Sequence, residues 1–330
     1  MNSSISLSIV IPVYNGALTI GKTVDAIAKL DIPDPLEIIL VNDGSADNSR
    51  DVCKQLVQSS PLPVTFIDHA RNYGEHNAVM SGLRVARGDY IITMDDDLQN
   101  PPSEVVKLYE YSRENEYDVV YTYFERKKHA AWRNIGSWLA NKTANLVLDK
   151  PDDLYLSSFR CIKKFIVSEI TRYKGPFPYV DGLIFQVTKN IGKVKVEHLP
   201  RQNGSSNYTL RRLLRLWMSI LLNFSVAPLR IGTALGLLMC AFGLAAVIYV
   251  LIDYFVFGIE TAGWASLMMI FLLFSGVQLV MLGLVGEYIG RIFLTVNERP
   301  QTVIRSITPD RRDFDKSSYP VRDTRRADDQ

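Results

Sequence analysis

The sequence predicts an α/β domain with a mainly parallel sheet, followed by an interfacial amphipathic helix and two transmembrane helices. Three observations carry this expectation. In the first 125 residues, short continuous apolar runs alternate with longer stretches of helical periodicity. Two later stretches, Ile231–Ile252 and Ala262–Gly286, contain no charged residue. Each exceeds the ~20 residues that a helix needs to cross a bilayer. Between these regions, Leu210, Leu213, Leu214, Trp217, Ile220, Leu221 and Phe224 recur at helical spacing, with Arg211, Arg212 and Arg215 interleaved near the start. A basic amphipathic segment directly before a span suits the anionic inner leaflet.

The expected strands are Leu7–Val13, Leu36–Val41, Val64–Ile67, Tyr90–Met94 and Val119–Tyr123. They are β-rich and continuous, as strands covered on both faces are. Helices are expected between them over Thr19–Leu30, Asn48–Gln58, Glu75–Arg87 and Pro102–Glu116. Alternation of this kind makes a parallel sheet, and such sheets bind ligands at the carboxyl ends of their strands.

The organisation follows: a cytosolic α/β domain over 1–206, a juxtamembrane helix over 207–228, a two-helix membrane domain over 229–295 and a cytosolic tail over 296–330. Arg211, Arg212, Arg215 and Arg230 precede the first span, and Arg291, Arg299 and Arg305 follow the second. The connection Asp253–Gly263 has no Lys or Arg. This asymmetry predicts a multi-pass protein with both termini in the cytosol. The N-terminus shows no basic and apolar leader, so no secretory signal is expected. The charged tail from about Thr308 reads as disordered and dispensable.

The chain has 330 residues and is 47% apolar, which excludes a disordered protein. A net charge of +2 says little by itself, and no nucleic-acid partner is expected. Cys53, Cys161 and Cys240 are scattered, as free thiols in a reducing compartment would be.

The residues that follow each strand are polar: Pro12, Tyr14 and Asn15; Asn42, Asp43, Gly44 and Ser45; His69, Arg71, Asn72, Tyr73 and Gly74; then Asp95, Asp96, Asp97, Leu98 and Gln99. All four groups are expected on one edge. Three adjacent acids at the end of a core strand repel one another, and a bound cation or a proton-transfer role explains their placement. Asp97, with Asp95 and Gln99 as further candidates, suits Mg²⁺ or Mn²⁺ bridging a diphosphate. Asp43 at a strand end can accept a hydrogen bond from a base or ribose, although Asn-Asp-Gly-Ser is also ordinary turn composition.

Ile9-Val10-Ile11-Pro12-Val13-Tyr14-Asn15, Val41-Asn42-Asp43-Gly44-Ser45, Arg71-Asn72-Tyr73-Gly74 and Asp95-Asp96-Asp97-Leu98-Gln99-Asn100-Pro101-Pro102 resemble the family 2 glycosyltransferases of GT-A, Rossmann-like fold. Among these, the chain is most similar to the polyprenyl-phosphate glycosyltransferases, which include dolichyl-phosphate mannose synthases and bacterial undecaprenyl-phosphate sugar transferases. The likeness extends to Gly286-Glu287-Tyr288-Ile289-Gly290-Arg291-Ile292 and Glu298-Arg299-Pro300.

The resemblance implies an inverting transfer of sugar from a nucleotide diphosphate sugar, UDP-linked in the leading reading, to undecaprenyl phosphate. The setting it implies is the cytoplasmic face of a bacterial inner membrane, in cell-envelope or lipopolysaccharide modification. It implies a donor site drawing on Pro12, Tyr14, Asn15, Asp43, Asn72, Gly74 and Asp96. Asp95 and Asp97 would be the catalytic acids that bracket the metal and sugar, and Gln99 would help to ligate Mg²⁺ or Mn²⁺. It also implies a homo-oligomer, tetrameric in relatives, and Gly232, Gly236 and Gly243 lie near one face of the first span.

A polyprenyl phosphate is largely ionised near neutral pH, so its oxygen attacks without a protein base but requires cations. Arg126, Arg133 and Arg201 are the candidates, since the guanidinium fork suits phosphate oxygens, and Ser206 joins them through the resemblance, which implies a pattern of Arg, Gly, Ser and Tyr matched by Arg201, Gly204, Ser206 and Tyr208. Three positions depart from the pattern: Gly16 where relatives usually have an acid, Asn207 where they often have Lys, and Ser158 where many have Asp. Asp181 either replaces that acid or caps a helix. A transferase to a glycan hydroxyl would need a base and, if processive, a Gln-x-x-Arg-Trp motif that the chain lacks; a non-catalytic membrane scaffold is the other alternative.

Overall fold

The structure, a computed structural model, describes residues 5–124, 154–197, 227–257, 263–297 and 300–310. In chain order the elements are β1 (Leu7–Val13), α1 (Ile20–Ala28), β2 (Leu36–Asn42), α2 (Ser49–Ser59), β3 (Val64–His69), α3 (Glu75–Leu83), β4 (Tyr90–Thr93), α4 (Ser103–Glu114), β5 (Val119–Tyr123), β6 (Arg160–Lys163), α5 (Lys164–Ile170), α6 (Val180–Val187), β7 (Ile191–Lys195), α7 (Ala227–Phe257), α8 (Trp264–Val296) and β8 (Ile304–Thr308). They divide into two units, an α/β unit that includes residues from 300 onward and a helical unit built on α7 and α8.

One eight-stranded sheet runs through the α/β unit in the order β7-β5-β6-β4-β1-β2-β3-β8. Strands β4, β1, β2 and β3 are mutually parallel, as the alternation of strand and helix requires. The sheet is nevertheless mixed, because β6 lies antiparallel between β4 and β5, and β8 lies antiparallel on β3. Alternate residues of β1 serve opposite faces. Leu7, Ile9, Ile11 and Val13 join Ile20, Val24 and Ile27 of α1, Cys53 and Leu56 of α2 and Val105 and Leu108 of α4 in one buried cluster. On the other face α3 comes so close that a Cβ on Gly82 would overlap Val10. Burial pushes the Cys53 and Cys161 thiols up to about 12, leaving them inert.

At the amino-terminal edge of the parallel strands, Ser8 and Glu37 are register partners. The Ser8 hydroxyl donates to Glu37 Oε1 at 2.7 Å and accepts the Gly88 N–H at 2.8 Å. The Arg87 backbone N–H donates to Glu37 Oε1 at 2.8 Å, and its guanidinium to Oε2 at 2.6 Å. Glu37 is 2% exposed, and this network satisfies its charge.

The segment 304–308, which the sequence reading leaves in the tail, is a strand instead. Ile307 pairs with Ile67, and the register shifts between Asp68 and His69 because Ser306 and Ile304 oppose consecutive residues of β3. Arg305 is the extra residue of this bulge. Its guanidinium donates to the Ala70 carbonyl at 3.0 Å and lies 3.6 Å from the buried Asp68 carboxylate.

In the helical unit, α7 has 31 residues and α8 has 33. Phe274–Val296, with mean hydropathy 1.7 and none of its apolar window buried, is long and apolar enough to cross a membrane. The apolar stretch of α7, Leu229–Ala245, is shorter. Gly232 is buried against Met281 of α8, so it serves the packing of the two helices, whereas among the described residues nothing lies within 4 Å of a Cβ added at Gly236 or Gly243. The amphipathic segment 207–228 lies outside the described residues except for its last two positions, which begin α7.

Candidate active site

The carboxyl ends of β4, β1, β2 and β3 bring the four polar groups to one edge of the sheet. The first two loops are stitched together. Asn15, with φ +56°, donates its N–H to Ser45 Oγ at 3.0 Å and accepts the Ala46 N–H at 2.9 Å. The Gly16 N–H donates to Ser49 Oγ at 2.9 Å, and the Ala17 N–H to Asp47 Oδ2 at 3.1 Å. Partial burial pushes Asp47 up, but the Ser49 hydroxyl and the N–H groups of Ala17 and Ser49 hold it below the usual carboxylate value. Pro12 is half-buried in β1, while Tyr14 is 55% exposed, a ring available to cover a base.

Asp43 is 2% exposed, and its carboxylate organises the third loop. Oδ1 accepts the Tyr73 N–H and Oδ2 the Gly74 N–H, at 2.9 and 2.7 Å. Those amides open α3, so the carboxylate also lies at the positive end of that helix. Gly44 has φ +63°, and a Cβ there would overlap the Arg71–Asn72 backbone; only glycine allows the two loops this approach. Asn72 is exposed beside it. The third ligand of Asp43 is His69 Nδ1 at 2.9 Å, a partner the sequence reading did not assign.

After β4 the acidic run is half-buried and sharply turned. Asp97 Oδ1 accepts the Gln99 N–H at 3.1 Å across Leu98, whose φ of +59° is rare for a branched residue. Such conformations persist where surrounding structure holds them, and they concentrate at functional sites. Asp95 Oδ2 accepts the Ser158 hydroxyl at 2.7 Å. Ser158 thus turns from a missing acid into a partner for one. Thr23 of α1 donates to the Asp96 carbonyl at 3.2 Å. A Cβ on Gly16 would overlap the Asp96 carboxylate, so the absence of a side chain there gives Asp96 its place.

Among the described residues, no group of three His, Cys, Asp or Glu is arranged to hold a metal. Mg²⁺ and Mn²⁺ sites of this kind need fewer protein ligands, because one or two carboxylates combine with substrate phosphates. Asp95, Asp97 and the Gln99 side-chain oxygen form an all-oxygen set on one turn, which fits such an ion.

Asp181 does not cap α6, whose N-cap is Tyr179 and which has no side-chain cap. It is buried in an ion pair with Arg160 and accepts the Tyr121 hydroxyl at 2.8 Å. Burial opposes the Arg160 charge, yet Asp181 holds that guanidinium protonated; burial and then Asp181 raise Tyr121 well above its ordinary value. His76 stands edge-on to Tyr179 at 5.0 Å, and burial pushes it down to about 4 against the opposing pull of Asp181. The acceptor candidates Arg126, Arg133, Arg201 and Ser206 lie outside the described residues.

The glycosyl transferase family 2 profile matches residues 8–171, and the profile of the GtrB C-terminal hairpin matches 227–292. The undecaprenyl-phosphate 4-deoxy-4-formamido-L-arabinose transferase of Pseudomonas syringae is 31% identical, over 96% of this chain and 92% of that one. Its counterpart in Pectobacterium atrosepticum is 33% identical over 92% and 95%, and an uncharacterized glycosyltransferase of Bacillus subtilis is 32% identical over the same shares. In fold, the chain is similar to glucosyl-3-phosphoglycerate synthase from Mycobacterium tuberculosis, crystallised with Mn²⁺, UDP and glucosyl-3-phosphoglycerate. That likeness has a TM-score of 0.51 at 15% identity and covers 66% of this chain and 78% of that one. The sheet edge, the profile over it and relatives above 30% identity across nearly all of both chains lead to one conclusion: the protein is a glycosyltransferase and belongs to glycosyl transferase family 2.

Proposed function

We propose that the protein transfers a sugar, with inversion, from a UDP-linked nucleotide sugar to a polyprenyl phosphate such as undecaprenyl phosphate at the cytoplasmic face of a bacterial inner membrane. The product would serve cell-envelope or lipopolysaccharide modification. The observation that carries this reading is the single sheet edge on which Asn15, Asp43, the 71–74 loop and the Asp95–Gln99 turn meet. The relatives from Pseudomonas syringae and Pectobacterium atrosepticum are undecaprenyl-phosphate sugar transferases, which supports the acceptor class.

In this reading Tyr14 lies against the base, and Pro12, Asn15, Asp43, Asn72 and Gly74 shape the nucleotide cradle. Asp96, beside Gly16, faces the donor. Asp95, Asp97 and Gln99 hold Mg²⁺ or Mn²⁺, which when bound stabilises the negative charge of the departing diphosphate. Asp95 is oriented by Ser158, and Asp97 by the turn it closes. The attacking atom is the acceptor's own phosphate oxygen, so no protein base is required. Asp181 stays neutralised by Arg160. Arg126, Arg133, Arg201 and Ser206 receive the lipid phosphate on the strength of their sequence pattern.

The membrane arrangement is part of the proposal. Residues 1–206 form the cytosolic catalytic domain, 207–228 lie along the inner leaflet, 229–295 cross the bilayer twice and both termini stay cytosolic. Homo-oligomerisation, as a tetramer, would use the open face at Gly236 and Gly243.

The test is transfer of label from a panel of nucleotide sugars into organic-extractable lipid, using membranes with this protein and undecaprenyl phosphate, with Mg²⁺ or Mn²⁺ and with or without chelator. Chelator-sensitive, acid-labile lipid from one donor is expected. Absence of product with every donor, from folded and inserted protein, would overturn the reading.

A further inference from the structure

A buried chain of hydrogen bonds links the segment that follows α8 to the donor-side loop. Thr302 Oγ lies 3.3 Å from Ser81 Oγ, and Ser81 Oγ lies 2.9 Å from His69 Nε2. His69 Nδ1 is 2.9 Å from Asp43 Oδ1, and Asp43 receives the Tyr73 and Gly74 N–H groups. Asp43, His69 and Ser81 are each no more than 2% exposed. A carboxylate only accepts hydrogen bonds, so Nδ1 carries the proton facing Asp43; in the neutral ring, Nε2 then accepts the Ser81 proton at 2.9 Å, in competition with the Asn77 carbonyl at 3.1 Å. Each link therefore orients the next.

The far end of this chain is firmly seated. Gln301 is buried, donates to the Gly175 carbonyl at 2.8 Å and accepts from Arg84. The Ala70 N–H donates to the Val303 carbonyl at 2.9 Å. The bulge at Arg305 directs its guanidinium back to Ala70 and Asp68, beside His69. The contacts of Val303 and Arg305 fall within one residue of His69, while Gln301 anchors the start of the segment at Arg84 and Gly175. A bare structural strand would need only the β3 ladder.

We propose that Gln301–Thr308 is a positioning element of the donor site: through Thr302, Ser81 and His69 it fixes the Asp43 carboxylate, and so the 71–74 loop that receives the nucleotide sugar. His69 is the positioning residue at its centre. This inference rests on the donor-side reading given above. Its signature is a split between substrates: the donor KM should move and the acceptor KM should not.

The experiment uses the full-length protein in membranes, with both KM values and a melting curve for each variant. Asn places its amide where Nδ1 stands and Gln where Nε2 stands, so His69→Asn keeps the Asp43 contact that His69→Gln loses. Loss of a hydrogen bond to a buried carboxylate predicts about a tenfold rise in nucleotide-sugar KM for His69→Gln, and a smaller one for His69→Asn. Thr302→Val should raise the same KM about threefold, and Thr302→Ser should restore it, which keeps the test decisive if the His69 variants fail to fold. Equal shifts in both KM values, or Thr302→Val behaving as wild type, would refute the positioning role alone. A wild-type protein that makes no lipid product from any donor would refute the proposed function, and this inference with it.

Discussion

The two ends of the same parallel strands are built on opposite principles. At the amino ends, Ser8, Glu37, Arg87 and Gly88 close a network around one buried charge, and none of the four has positive φ. At the carboxyl ends, three consecutive acids occupy one half-buried turn, and both non-glycine residues with positive φ among the described residues, Asn15 and Leu98, fall in the loops there. One edge minimises cost and the other holds groups in arrangements that are costly without a ligand. The difference singles out the carboxyl end as the candidate site on physical grounds, since backbone strain and ligand binding both concentrate there in such folds.

The sharpest way to break the comparison is to remove a charge at each end. Asp97→Asn should lower turnover roughly a hundred- to a thousandfold, the size expected when charge stabilisation at a leaving group is lost, with the melting temperature held. Labelled transfer into lipid measures it, and unchanged turnover would sink the metal assignment. Glu37→Ala should do the reverse: about 2 to 3 kcal/mol of stability lost, read by denaturant melts, with KM values unchanged for the folded fraction.

A pH series separates the ends further. His76, in the first turn of α3, is held down to about 4 from 6.5, so the unfolded chain binds the proton first as pH falls. Stability is then lost from about 6.5 toward 4, amounting to about 2 kcal/mol by pH 5. His76→Phe keeps a ring against Tyr179 and should flatten the difference in melting temperature between pH 7 and 5. The smallest effect is expected at Ser158. Ser158→Ala removes the hydroxyl that orients Asp95, and it should weaken apparent Mn²⁺ affinity about tenfold, measured by metal titration of transfer activity.

What the sequence discloses depends on how local the cause is. Val10 to Val13 followed by Tyr14 and Asn15, or Ile91 to Met94 followed by three acids, announces both a buried strand and a polar edge, because burial and periodicity act within a few residues. Asp181 shows the limit. An acid in the first turn of a helix suggests a cap, but Arg160 and Tyr121, distant in sequence, take its carboxylate instead. His69 is equally opaque, since its partners come from the loop after β2 and from α3. Ile304–Thr308 carries too short and too polar a pattern to be told from a tail, and its strand character comes entirely from β3.

The pairing of β8 with β3 also sets an order of events during synthesis. The exposed edge of β3 finds its partner about 240 residues later in the chain, after both long apolar helices have been made. At roughly 5–20 residues per second, that edge waits on the order of ten to fifty seconds. The sheet is therefore completed last, by residues that leave the ribosome after α7 and α8. A chain that stalls or terminates within α8 would carry an open strand edge, which marks it for pairing with other chains or for disposal.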